Sequence, residues 1–281
     1  MPFEVFETLS LPGDILKPNE DAFAHEPNAA VVLDGATALG DPLMPGDSDP
    51  AWLAHFGVRR LMAHLRDGDA PVDALRHTLQ DAEKSYTALR RRPPAEQWEV
   101  PVASMALVCE TAKGFDFLWF GDCAGLLRRT AGEAEVLGES FARKAKEAGR
   151  AAKAAKELKL SPVDAGGRGP FLPGLKKSRN TLNSGSRWAF GPDPRAADHV
   201  ERKSIVAPKG SLLLLCSDGF FALASDYGAY TAHTLMDAVV DRGLGALGEE
   251  LREIEESDPN GHKHPRFKKS DDATAVLLKL V

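Results

Sequence analysis

Leu212-Leu213-Leu214-Leu215-Cys216-Ser217-Asp218-Gly219 is the stretch that decides how this sequence folds. Five apolar residues without a polar interruption read as a strand buried on both faces, and the strand ends in a carboxylate followed by a turn residue. The same design recurs. Ala29-Ala30-Val31-Val32-Leu33 runs into Asp34-Gly35, and Phe115-Asp116-Phe117-Leu118-Trp119-Phe120-Gly121 runs into Asp122. Near the end, Asp271-Asp272 opens Ala273-Thr274-Ala275-Val276-Leu277-Leu278. A carboxylate at the lip of a buried strand is held in place yet still reaches solvent.

If the last of these strands runs antiparallel to the first and third, Asp34, Asp218 and Asp271 meet on one rim of a sheet. Bare carboxylates that close repel one another and take up protons. A hard divalent cation removes the conflict, and carboxylate oxygen is the donor that Mg²⁺ and Mn²⁺ prefer. Any single Asp-Gly pair is a common turn. The repetition of the pattern is what points to a metal site.

The rest of the chain is consistent with one α/β domain spanning residues 1–281. With 281 residues and 43% hydrophobic content it can bury one substantial core. The net charge of -6 argues against general affinity for nucleic acid. No apolar stretch is long enough to span a bilayer, and the opening Met-Pro-Phe-Glu-Val-Phe-Glu lacks a basic-then-apolar leader profile. Cys109, Cys123 and Cys216 are scattered on apolar runs without C-x-x-C spacing, so they are expected to be reduced core residues of a cytoplasmic protein. Cys123 and Arg129 share the C-x5-R spacing of thiol-dependent phosphatases. However, the intervening residues read as strand, and Asp122 disfavours a thiolate. His262 and His264 follow a Pro-Asn-Gly turn and read as a solvated loop.

Pro50 opens a predicted helix capped by Ser48 or Asp49, and Pro71 opens a second with apolar residues at helical spacing through Leu89. Residues 103–110 and 115–128 read as a hairpin turning at Lys113-Gly114. Residues 141–158 read as a basic helix, 161–195 as loop, and 204–218 as two strands joined by Pro208-Lys209-Gly210. A helix over 231–256, interrupted near Gly243 and Gly245, precedes the last strand. Strands linked by hairpins, with helices between, predict antiparallel sheets covered by helices. Charge is uneven: residues 143–187 carry twelve Lys or Arg against three acids. That stretch reads either as a solvated face or as a surface that attracts an acidic, phosphorylated partner. It lacks the aromatic interleaving or helix-turn-helix of a nucleic-acid binder.

Six segments in order, NEDAF (19–23), VVLDG (31–35), ASMALV (103–108), FGDC (120–123), LLLLCSDG (212–219) and SDDATAVLL (270–278), resemble the type 2C (PPM) family of metal-dependent serine/threonine protein phosphatases. The resemblance runs from Lys17 to Leu280. It implies a β-sandwich of two antiparallel sheets flanked by helix pairs, with a flap-like insertion over about 139–195 where the basic stretch falls. It also implies two Mn²⁺ or Mg²⁺ ions that activate a water for attack on a phosphate monoester. By resemblance Asp34 bridges the ions and the Gly35 carbonyl serves one of them. Asp218 and Asp271 complete the other, with Asp272 as the alternative to Asp271. Glu20 and Asp21 act through bound waters, and Asp122 with Asp218 forms a third, weaker site.

Departures from the family pattern concern the substrate. Leu16 stands where the family usually has a phosphate-clamping Arg, leaving Lys17, Arg179 or Arg187 to supply that role. Ala36, Ala124 and Ala222 replace residues that are often His, Arg and Asp. The expected function is therefore a phosphatase acting on phosphorylated protein, with Asp34, Asp218 and Lys17 as catalytic residues and with neither nucleic acid nor membrane as partner. The alternatives are a weakly active or non-catalytic member of the fold that binds phosphoproteins, and a small-molecule phosphatase.

Overall fold

The structure, a computed structural model, describes residues 2–129, 132–139, 163 and 169–281. In chain order the elements are β1 (Phe3–Leu11), β2 (Asp21–Glu26), β3 (Ala29–Gly35), α1 (Asp49–Arg66), α2 (Pro71–Leu89), β4 (Ala103–Thr111), β5 (Gly114–Phe120), β6 (Ala124–Arg128) and β7 (Glu135–Leu137). There follow α3 (Leu172–Arg179), β8 (Glu201–Val206), β9 (Leu212–Cys216), α4 (Asp218–Ser225), α5 (Ala232–Ser257) and β10 (Ala273–Leu280). Two five-stranded antiparallel sheets form, ordered β1-β10-β9-β6-β7 and β2-β3-β4-β5-β8. They stack into the helix-flanked α+β sandwich expected from the sequence.

Burial on both faces explains the uninterrupted apolar runs. Along β3, Ala30 and Val32 face the opposing sheet with Phe115, Phe117, Leu213, Leu215, Val276 and Leu278. Val31 and Leu33 face the other way, onto Leu53, Leu61, Leu75 and Leu79 of α1 and α2. On the far side of the sandwich, Leu214 and Leu277 pack on Phe220 of α4 and Leu247 of α5. Gly57 lets α1 close on this core, since a Cβ there would lie 2.7 Å from both Leu33 and the Phe190 ring.

The helix ends follow local chemistry. Ser48 caps α1, accepting the Ala51 N–H at 3.2 Å, and Pro50 occupies the first turn. Asp49 is buried and accepts the N–H groups of Leu43 and Met44 at 2.7 and 2.9 Å. Gly243, with φ of 83°, kinks α5 where the sequence predicts an interruption.

Two expectations need correction. Residues 115–128 are not one strand: Gly121, with φ of 73°, breaks the run, and the chain crosses from β5 in one sheet to β6 in the other. The two strands expected over 204–218 are present as β8 and β9, which lie in different sheets. The stretch expected to be loop contains α3. The predicted basic helix over 141–158 lies outside the described residues, as does much of the basic stretch. Among the described residues no helix is long and apolar enough to cross a membrane.

Candidate metal centre

The acidic residues converge on the rim where the two sheets meet. They are contributed by both sheets rather than by one, as the sequence reading supposed. Asp34 ends β3, and Asp122 sits in the β5–β6 crossover. Asp218 opens α4, where the helix N-terminus favours a negative side chain. Carboxylate oxygens of Asp34, Asp122 and Asp218 all lie within 4.8 Å of one another. They line a cavity of about 240 Å³ together with Gly35, Ala36, Thr37, Ser104, Arg179, Lys268 and Asp271.

Backbone pairing sets this geometry. Asp21 lies opposite Asp34 on β2, and Ser104 lies opposite it on β4. The Ser104 hydroxyl donates to Asp122 at 2.6 Å. Gly121 makes that contact possible, since a Cβ there would lie 2.1 Å from the Ser104 hydroxyl oxygen. Gly35 is pressed against the Glu20 carbonyl and Pro50, and Gly219 against the Asp272 carbonyl. The glycines after Asp34 and Asp218 are thus required by close backbone approach.

Electrostatically the site is under load. Burial drives the Asp34 carboxyl well above the usual carboxylate range, and repulsion from Asp218, Asp21, Asp271 and Asp122 pushes it further. Asp34 is half-buried as a residue, with its carboxyl deep among these groups. Burial likewise raises Asp21, with Asp271, Asp272 and Asp218 adding repulsion against a lowering contact from Ser217. The Asp21 Oδ2 atom is buried and has no hydrogen-bond partner among the described residues. An orphaned buried carboxylate oxygen beside an all-oxygen donor set fits a hard cation.

The neighbouring residues divide their work. Asp271 faces the cavity and forms an ion pair with Lys268. Asp272 instead accepts the N–H groups of Gly13 and Glu20, both at 2.7 Å, so it ties the β1–β2 connection to the rim. The Glu20 carboxylate accepts the hydroxyls of Thr37 at 2.6 Å and Ser48 at 2.8 Å. It lines an adjacent groove of about 880 Å³ rather than the carboxylate cavity.

Of the cations named from sequence, Arg179 lines the cavity, donating to the carbonyls of Ala36 and Thr37 at 3.2 Å each. Lys17 does not line it. It is exposed, pairs with Asp14 at 3.2 Å and borders the adjacent groove. Arg187 is also elsewhere, bonded to Ser178 and Thr181. Sequence reasoning missed Lys268, which reaches the cavity from an irregular loop and lies 3.4 Å from the Thr37 hydroxyl. Cys123 is fully buried, and burial followed by repulsion from Asp34 and Asp122 raises its thiol. Arg129 pairs with Glu135, so the C-x5-R spacing forms no thiolate loop. His264 packs edge-on against Tyr227, and its N–H, with those of His262 and Lys263, is held by Asp258.

No protein-family model matches the chain, and no curated protein matches it by sequence. Solved structures do match it in shape. The PPM Ser-Thr phosphatase MsPP from Mycobacterium smegmatis, crystallised with cacodylate, superposes with a TM-score of 0.58 at 19% identity over 98% of this chain and 97% of that one. The Mycobacterium tuberculosis serine/threonine phosphatase PstP/Ppp gives 0.58 at 16% identity over 100% and 99%. A second structure of the PstP catalytic domain holds two manganese ions. PppA, a regulatory component of the type VI secretion system in Pseudomonas aeruginosa, gives 0.58 at 18% identity over 99% and 98%. Likeness at these identities establishes the fold.

Proposed function

We propose that this chain, which has the fold of PPM-type phosphatases, is a metal-dependent phosphatase that removes phosphate from phosphoserine or phosphothreonine in proteins. The observation that carries this reading is the convergence of Asp34, Asp122 and Asp218 within 4.8 Å, in a cavity that Arg179 and Lys268 also line. Asp34, Asp218, Asp271 and the Gly35 carbonyl are the candidate holders of two Mn²⁺ or Mg²⁺ ions. Asp122 serves a weaker third, and Asp21 and Glu20 act through water. Bound there, such ions supply charge neutralisation for the phosphoryl oxygens and a water acidified enough to attack at neutral pH.

The protein's own groups account for the remainder. The carboxylates alone would repel a phosphate dianion, so substrate entry depends on the cavity being neutralised. Arg179 and Lys268 offer donors at its edge, taking the place of the missing clamp at Leu16. Arg179 presents a planar fork suited to phosphate, whereas Lys268 supplies a compact point charge. Ser104 fixes the orientation of Asp122. A cavity of about 240 Å³ open to solvent admits a phosphorylated side chain.

Hydrolysis of a generic aryl phosphate, with and without Mn²⁺, tests the proposal. Mn²⁺-dependent turnover abolished by chelation supports it, and turnover that persists in excess EDTA contradicts it. A second reading, a phosphoprotein-binding module with little turnover, is favoured by one feature: among the described residues the cavity lining contains no histidine to act as a proton donor. Saturable Mn²⁺ and phosphopeptide binding without turnover would select it.

A further inference from the structure

We propose that His64, Asp69 and His77 form a separate metal site, for Zn²⁺ or a similar borderline cation, that joins the end of α1 to α2. One ligand atom from each residue lies within 4.8 Å of the other two. The focus is Asp69 Oδ2, which sits 2.7 Å from His77 Nδ1 and 3.4 Å from His64 Nδ1. Tetrahedral coordination with bonds of about 2.0 Å places ligand atoms about 3.3 Å apart. The second distance already matches, and the first opens by about 0.6 Å when a cation replaces the hydrogen bond.

The site is built into the backbone. His64 lies in the last turn of α1. Gly68, with φ of 98°, turns the chain back so that the Asp69 N–H donates to the His64 carbonyl at 3.1 Å. That turn fixes Asp69 beside His64, and the packing of α1 on α2 through Leu61, Leu65, Leu75 and Leu79 brings up His77. The C-terminal end of a helix also favours a positive charge.

The hydrogen bond on the far side of the His64 ring carries the argument further. His64 Nε2 lies 3.0 Å from Asp81 Oδ2, an oxygen that Arg60 also binds. A carboxylate can only accept, so Nε2 carries the proton, and in the neutral form of the ring the Nδ1 lone pair points at Asp69 Oδ2. In that form two acceptors face each other at 3.4 Å, a spacing that a proton or a metal cation between them would satisfy. A carboxylate behind a ligating imidazole is the usual way of orienting such a ligand. Two nitrogens and one carboxylate oxygen match the three-ligand sets that Zn²⁺ accepts and differ from the all-oxygen rim.

Zn²⁺ is titrated calorimetrically near neutral pH into metal-depleted full-length chain and into an Asp34→Asn/Asp218→Asn double variant, which disables the carboxylate cavity. Saturable binding of one equivalent is expected to persist in the double variant. It should weaken by about tenfold or more in His77→Ala and in His64→Ala, each added to the double variant. Co²⁺ in place of Zn²⁺ should give visible absorption bands that vanish with His77→Ala. Circular dichroism checks that the variants fold, and His77 is exposed enough that its loss leaves the core intact. Zn²⁺ binding that disappears in the double variant, or that is unchanged by both histidine substitutions, overturns the proposal.

Discussion

Asp21 and Asp34 are direct cross-strand partners at the end of the β2–β3 ladder, so the sheet itself sets two carboxyls side by side. Like charges placed opposite each other destabilise a sheet. Here both groups are also pushed upward by burial. The same pairing that prepares the site for a cation weakens the protein without one.

This gives a pH signature. An unfolded aspartate titrates near about 3.9, and both groups titrate higher in the folded chain. Their contribution to stability is therefore complete below the unfolded value and is lost as pH rises through the folded values. In metal-free protein, Asp21→Asn is expected to raise the thermal midpoint, by a margin that grows as pH rises from about 4 toward neutrality. Added Mn²⁺ should shrink that margin. Melting curves of both proteins across this range check it, and a margin independent of pH would contradict it.

Asp271 and Asp272 should separate function from stability. Asp272→Ala strands the N–H groups of Gly13 and Glu20 and should cost about 1–3 kcal/mol, read by denaturant unfolding. Asp271→Asn should leave stability nearly unchanged while lowering phosphatase turnover severely. Equal stability losses in the two variants would mean that the division of roles is wrong.

Gly219 has no room for a side chain, since a Cβ would lie 2.0 Å from the Asp272 carbonyl. Gly219→Ala must displace either α4 or the start of β10. The expected loss is about 1–3 kcal/mol, with a drop in activity because Asp218 moves with the helix. Unfolding and turnover measured together test this, and a variant indistinguishable from the parent would refute the close approach.

Arg179 and Lys268 are expected to act on substrate binding. Lys268→Ala should raise KM for an aryl phosphate more than it lowers kcat. Lys176 and Lys177 lie outside the cavity lining, with Lys176 over the Trp98 ring at 3.6 Å. Neutralising them should raise KM for a phosphoprotein at low salt and spare the aryl phosphate, with the difference fading as salt rises. Equal effects on both substrates would assign these lysines no part in protein recognition.

Much of this was legible in the sequence, and the residues show why. The run Leu212–Cys216 is apolar throughout because both its faces are covered, and Pro50 and Pro71 mark true helix starts. The failures are tertiary. Nothing local announces that Gly121 sends the chain into the other sheet, or that β8 and β9 part company. β1 escaped notice as an edge strand of alternating exposure, interrupted by an irregularity between Val5 and Glu7. In the site, the acids at strand ends were readable because strand geometry fixes where they point. Lys268 was not, because the loop that carries it has no periodicity and only the fold brings it to Thr37 and Asp271. Lys17 was chosen for its sequence position, and its side chain turns to Asp14.

The most direct test of the central claim is phosphate release from a phosphoserine peptide by metal-depleted chain as Mn²⁺ is added back, with Asp34→Asn and Asp218→Asn measured alongside. Activity that rises saturably with Mn²⁺ in the native chain, and that falls by orders of magnitude in both folded variants, is the predicted result. A native chain that binds Mn²⁺ without releasing phosphate, or variants that retain native turnover, would contradict it.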